Sequence, residues 1–232
     1  MGSGNLLIPN SQNEPSLSHA IIPPNKKRRK TTKVKCIQID RYGGLAAMTH
    51  RELPTPTPKA DEVLVRVRCA GINFMDIHTC EGKYANSQTY KVSLPCTLGM
   101  EGAGEVVALG ADVKDLAVGD RVAWCIVWGS YAEYAVVPAS RVVKVPDGLS
   151  LEMAAASIFH GFTAHYLARD IGQLAPGVTC LVHAASGGIG QILIQLAKRL
   201  GAKRVLVVTF KPGKEMEEMV RAKALADQAK LS

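Results

Sequence analysis

Residues 180–208 read CLVHAASGGIGQILIQLAKRLGAKRVLVV, and this stretch decides the fold. Cys180 to His183 has the short apolar character of a strand. Ile192, Leu193, Leu196 and Leu200 then recur at helical spacing, while Gln191, Gln195, Lys198 and Arg199 fall on the wetter side. Gly201 stands where a helix stop is expected, and Val205 to Val208 read as a second, buried-type strand. Strand, turn, helix, strand is half of a dinucleotide-binding unit. The turn, Ala185-Ser186-Gly187-Gly188-Ile189-Gly190, is G-x-G-x-x-G with alanine at the first position. Gly187 lets backbone approach a pyrophosphate, Gly190 lets the helix pack close to the strand, and the first helical amides hold the phosphates. The alternative is turn chemistry alone, since glycine also serves strand-to-helix turns that bind nothing.

Cofactor choice is read from the end of the second strand. An acidic residue there binds the ribose 2′-hydroxyl in NAD enzymes. This chain has Thr209, Phe210, Lys211, Pro212, Gly213 and Lys214 instead. Two lysines favour a 2′-phosphate, hence NADPH; the competing reading is a solvated lysine pair. A doubly wound domain uses about six strands. After residue 208 there is room for one Lys/Glu-rich helix, roughly 214–227, so only the first half of such a domain is expected.

Working outward, the 232 residues are 47% hydrophobic, ample for a core, and no apolar run reaches a membrane span. Of the net charge of +8, residues 1–35 contribute +6, from seven Lys or Arg against Glu14. A uniformly basic nucleic-acid-binding surface is therefore not indicated. The six cysteines, at 36, 69, 80, 96, 125 and 180, form no C-x-x-C pair, a pattern of reduced thiols in a cytoplasmic setting. His160 and His165, five apart on an expected helix, share a face poorly, so no metal site is expected. Residues 1–33 read as a disordered basic extension ending in Asn25-Lys26-Lys27-Arg28-Arg29-Lys30. That cluster fits a nuclear address, a polyanion-binding arm, or a plain solvated tail. Leu6 stands where N-myristoylation needs Ser or Thr.

From about 34 to 150 the chain reads as β. Val63, Val65, Val67 and Cys69 alternate with Leu64, Arg66 and Arg68, a half-buried strand. Further strands are expected at 35–40, 104–109, 121–126, 132–137 and 142–145, separated by Gly43-Gly44, Pro54 to Pro58, Gly110, Gly119-Asp120, Gly129 and Pro146-Asp147-Gly148. Many short strands at such spacing argue for a small barrel or sandwich. Leu151 to Ala168 then becomes helical, and Pro176-Gly177 marks entry to the nucleotide unit.

These pieces in this order resemble the zinc-independent quinone oxidoreductase branch of the medium-chain dehydrogenase/reductase superfamily, near zeta-crystallin. The matching residues are Gly71-Ile72-Asn73-Phe74-Met75-Asp76, Gly82-Lys83-Tyr84, Leu98-Gly99-Met100-Glu101-Gly102-Ala103-Gly104, Gly119-Asp120-Arg121-Val122, Gly129-Ser130-Tyr131-Ala132-Glu133-Tyr134, Ala154-Ala155-Ala156-Ser157 and the 183–190 turn. The resemblance covers about 34 to 214. It implies an α/β protein with a β-rich part: a GroES-like barrel domain over 34–155, then an incomplete Rossmann-type domain over 156–232, C-terminally truncated.

Zinc-dependent members bind metal through a cysteine and a Gly-His-Glu motif. Here Asn73 stands in the neighbourhood of that cysteine, Met100 replaces the histidine, and the four-cysteine zinc lobe is missing. The implied reaction is hydride delivery to an activated acceptor, a quinone or an α,β-unsaturated carbonyl. By resemblance Asn73 lies beside nicotinamide and substrate, Tyr84 lines the acceptor cleft, and Thr163 sits near the nicotinamide. Gly187, Gly188 and Ile189 contact the pyrophosphate, and Lys214 meets the 2′-phosphate. Taken as residues alone, Asn73 and Asp76 also fit a helix cap, Tyr84 a packing role, and Glu101 a loop-holding role. The sequence departs from the family at His78, commonly tyrosine, and at Phe210, commonly small. Family members dimerise through C-terminal parts not expected here, which leaves Val205 to Val208 as an exposed edge strand. A second reading is a non-catalytic product that binds RNA or a protein partner through its basic arm.

Overall fold

The structure is a computed structural model that describes residues 33–90 and 92–209. The basic extension, the cluster 26–30, Phe210, Lys211, Lys214 and the 214–227 helix lie outside the described residues, except that Lys33 already begins the first strand.

Strand β1 (Lys33–Ile39) pairs antiparallel with β2 (Thr49–Pro54) and with the two-residue β4 (Cys96–Thr97). A five-stranded antiparallel sheet runs in the order β7-β3-β5-β6-β8, from β3 (Glu62–Ala70), β5 (Glu101–Leu109), β6 (Arg121–Cys125), β7 (Tyr134–Pro138) and β8 (Val142–Lys144). A single bridge, Cys36 to Ala132, joins the two sheets, so among the described residues no barrel closes. That bridge also explains why β7 starts at Tyr134 rather than at the expected Ala132: Ala132 and Glu133 are engaged with β1.

Inward-facing valines drive the sheet. Val63, Val65, Val106, Val122 and Val137 pack around Trp124, all but inaccessible to solvent. The expected alternation in β3 holds for Val63 and Val65 against Arg66 and Arg68, but Leu64 is buried as well. Its register against β5 shifts between Leu64 and Val65 with the extra residue, Val107, on β5, while β3 pairs with β7 without a break, so Leu64 keeps the face opposite to Val63 and Val65 and is covered there as well. Elements not legible as such in the chain include β2, which runs up to the proline-rich turn, the two-residue β4, and helix α1 (Phe74–Cys80).

Helix α2 (Leu151–Tyr166) begins at Ser150, whose hydroxyl accepts from the Met153 amide, and passes into a π-helical turn over Leu167–Ile171. It runs across the expected 155/156 boundary. At its start Ala154 and Ala155 pack on Ala103 and Ala123 of the five-stranded sheet; beyond its end Ala168 packs with Ala197 and Leu174. Strand β9 (Thr179–Val182), helix α3 (Gly188–Arg199) and strand β10 (Arg204–Val207) form the anticipated unit, with β10 parallel to β9. One expectation is corrected: β10 is not buried. Leu206 is 54% and Val207 53% exposed, because among the described residues β9 alone flanks β10.

Candidate functional site

Asn73 precedes α1, and its local sequence explains the geometry. Its backbone N–H donates to Asp76 Oδ2 (2.8 Å), three residues on, which satisfies one amide that a helix start leaves without a partner. The Tyr131 hydroxyl donates to the same oxygen (2.9 Å). Asp76 is fully buried, and its Oδ1 has no hydrogen-bond partner. Burial pushes the carboxyl up to about 7; the bonds from Asn73 and Tyr131 oppose that rise and the nearby Glu101 adds to it. Burial and the Asp76 charge hold the Tyr131 phenol well above its usual range.

Glu101 opens β5 and is 1% exposed. Its Oε1 accepts from Asn73 Nδ2 (2.8 Å) and its Oε2 from the Phe159 amide of α2 (3.1 Å). Burial raises its pKa against the lowering effect of those bonds. Glu101 lines a cavity of about 340 Å³ with Gly71, Ile72, Ala155, Ala156 and His160, between the five-stranded sheet and α2. Burial holds the His160 imidazole below its ordinary pKa.

The glycine turn meets this cleft through His160. A Cβ on Gly188 would stand 2.5 Å from His160 Nδ1, and one on Gly190 would stand 2.5 Å from the Ala184 carbonyl oxygen. Gly190 is therefore required for helix-to-strand contact, as expected, and Gly188 for contact with α2. Gly187 has ordinary extended backbone, with only the Ala184 oxygen near its Cβ position, at 3.2 Å. Among the described residues the amides of Gly188, Ile189 and Gly190 donate to no acceptor. Ala185 is buried, its amide donating to Val208; Ser186 shares a hydroxyl hydrogen bond with Thr209. The free amides at the start of a 12-residue helix suit a phosphate.

The remaining expected residues are placed as follows. Thr163 lies on α2 one turn beyond Phe159, its hydroxyl donating to the Phe159 carbonyl (2.9 Å). Tyr84 stands apart from the lining of the cleft, its hydroxyl 3.4 Å from His78 Nδ1 and its ring edge-on to Tyr90. Met100 is fully buried. Among the described residues no three His, Cys, Asp or Glu side chains converge as metal ligands, and no helix is long and apolar enough to cross a membrane. Sequence reasoning did not place His160 against Gly188 or Tyr131 against Asp76, contacts between residues 28 and 55 positions apart.

Comparison with known proteins follows the same lines. The alcohol dehydrogenase GroES-like domain family matches residues 59–147. A quinone oxidoreductase of Pseudomonas aeruginosa is 40% identical over 176 residues, 75% of this chain and 53% of that protein. Among solved structures, the quinone oxidoreductase of Pseudomonas syringae pv. tomato superposes with a TM-score of 0.71 at 38% identity, over 83% of this chain and 56% of that one. The Escherichia coli quinone oxidoreductase in complex with NADPH gives 0.70 at 33% identity, over 81% and 56%. The chain spans about half the length of the curated quinone oxidoreductases it matches.

Proposed function

We propose a function from one premise: this chain belongs to the quinone oxidoreductase branch of the medium-chain dehydrogenase/reductase superfamily. The reading is NADPH-dependent reduction of a quinone or an α,β-unsaturated carbonyl, without metal. One observation carries it: three unpaired amides at the start of α3, joined through His160 to a cleft floored by Glu101.

NADPH, when bound, supplies the hydride. The chain's residues bind and orient. The amides of Gly188, Ile189 and Gly190 hold phosphate oxygens, helped by the positive end of the α3 dipole. Lys214, which lies outside the described residues, is the residue that would meet the 2′-phosphate, and Thr163 would border the nicotinamide. Asn73, held through both its backbone and its side chain, fixes the acceptor side of the cleft. Tyr84, outside the lining of the described cleft, is the residue that the family resemblance offers as hydrogen-bond donor to the acceptor oxygen, on which negative charge develops.

The test is calorimetric titration of the 232-residue chain with NADP⁺ and, in parallel, NAD⁺, followed by turnover of a quinone and an enone with NADPH. Saturable binding that favours NADP⁺, weakened in Lys214→Ala, supports the reading. A folded chain that binds neither nucleotide refutes it.

A further inference from the structure

Glu101 joins the acceptor side of the cleft to α2. Its two oxygens are committed to donors that lie 28 residues before it and 58 residues after it: Asn73 Nδ2 at 2.8 Å and the Phe159 amide at 3.1 Å. The side chain has little freedom to leave this arrangement. It is 1% exposed, and a Cβ built on Gly71 would stand 2.1 Å from Glu101 Oε1, so only glycine there admits the carboxylate. The Gly71 amide donates to the Glu101 carbonyl, which pins the backbone at the same place (3.2 Å). On the far side, the peptide chain at Phe159 is used twice. Its N–H donates to Glu101, and its carbonyl accepts the Thr163 hydroxyl. Asn73, Glu101, Phe159 and Thr163 thus form one continuous run of hydrogen bonds through a buried carboxylate.

We propose that Glu101 is the positioning residue of this site: its carboxylate sets Asn73 against the turn of α2 that carries Thr163, and so aligns acceptor and nicotinamide. The assignment of those two sides rests on the function proposed above. The requirement is for two acceptors, which a carboxylate provides and an amide does not. In Glu101→Gln one of the two donors, Asn73 Nδ2 or the Phe159 N–H, faces an NH₂ group. Volume is kept while the alignment is lost. Asp76 does not substitute, because it holds the Asn73 backbone rather than its amide.

The experiment has two arms. Side-chain amide ¹H–¹⁵N resonances of Asn73, assigned by their loss in Asn73→Ala, are compared between wild type and Glu101→Gln. In wild type one Asn73 amide proton is expected downfield of those of Asn86 and protected from exchange, as a charge-assisted bond to a buried carboxylate requires. In Glu101→Gln both features are lost while the backbone spectrum is retained. Wild-type Asn73 protons indistinguishable from those of the exposed Asn86 overturn the proposal, and this reading needs neither a folded Glu101→Gln variant nor activity.

The second arm is kinetic. Glu101→Gln is expected to keep the NADPH dissociation constant within about twofold and to lower kcat roughly a hundredfold, the scale of an ångström's misalignment. In an Asn73→Ala background the same change has little further effect on kcat, because it acts through Asn73. Additive losses, or a loss confined to NADPH affinity, overturn the proposal. A wild-type chain without nucleotide binding refutes the function instead, and the resonance arm then decides the positioning role by itself.

Discussion

Replacing Asp76 by Asn tests the buried network through the pH dependence of stability. The native carboxyl titrates at about 7, against an unfolded value near 3.8, because burial penalises its charged form. The native state therefore holds the proton more tightly, and stability falls as pH rises through the window between those values. A gap of about 3 pK units corresponds to about 4 kcal/mol, of which about 3 kcal/mol is lost between pH 5 and pH 8. Asn does not titrate. It retains one acceptor oxygen for the Asn73 amide and the Tyr131 hydroxyl and places an NH₂ where the unpartnered Oδ1 stood, a cost of about 1–3 kcal/mol at every pH. Asp76→Asn is thus destabilising at pH 5 and close to neutral or stabilising at pH 8. Urea unfolding followed by the fluorescence of buried Trp124, at unit steps from pH 5 to pH 8, measures the difference. A wild-type-to-variant gap that stays constant within about 0.5 kcal/mol across that range refutes the reasoning.

Other outcomes follow from single contacts. Gly190→Ala drives a methyl onto the Ala184 carbonyl and should lose about 1–3 kcal/mol in the same unfolding assay, whereas Gly187→Val should fold normally yet fail to bind NADP⁺ by calorimetry. Normal NADP⁺ binding by Gly187→Val would remove the turn from the site. Burial pushes the Cys80 thiol up to about 12 and the Cys96 thiol up to about 11, so neither should be alkylated by iodoacetamide at pH 8 until urea is added; mass spectrometry of native digests checks this. Ser150→Ala removes the acceptor for the Met153 amide at the start of α2 and should lower stability by about 1 kcal/mol.

What was legible in the chain was what depends on local pattern. The β9–α3–β10 unit is visible because Ile192, Leu193, Leu196 and Leu200 keep helical spacing and glycines flank them on both sides. The valines of β3 show their period in the same way. What stayed hidden depends on partners distant in sequence. Helix α1 is only seven residues long, with no room for a full apolar stripe, and its start is held by Asp76 and Tyr131. Leu64 looks like the solvent face by alternation and is buried on that face all the same, by cover from parts of the chain that the local pattern does not reveal. In the site, the Gly-rich turn and Asn73 were legible by motif. The role of His160 was not: the sequence set it aside as a metal ligand and offered no other role, whereas its position places it against the backbone of Gly188.

The π-helical turn at Leu167–Ile171 has a mechanical meaning. Helix α2 meets its neighbours through alanines, Ala154 and Ala155 on the sheet side and, past its end, Ala168 on the α3 side. Methyl-sized contacts bring backbones close, with Leu151 and Ile158 packed beside them on the sheet side. The helix is accordingly a stiff beam clamped near both ends, and opening the cleft by sliding it along the sheet would break close packing. The hydrogen-bonding register changes only past that clamp, in the five residues Leu167–Ile171. Asn73 is tied to the Phe159 amide through one carboxylate, and Gly188 sits against His160 of the same helix, so both sides of the cleft are referred to the stretch of α2 ahead of that turn.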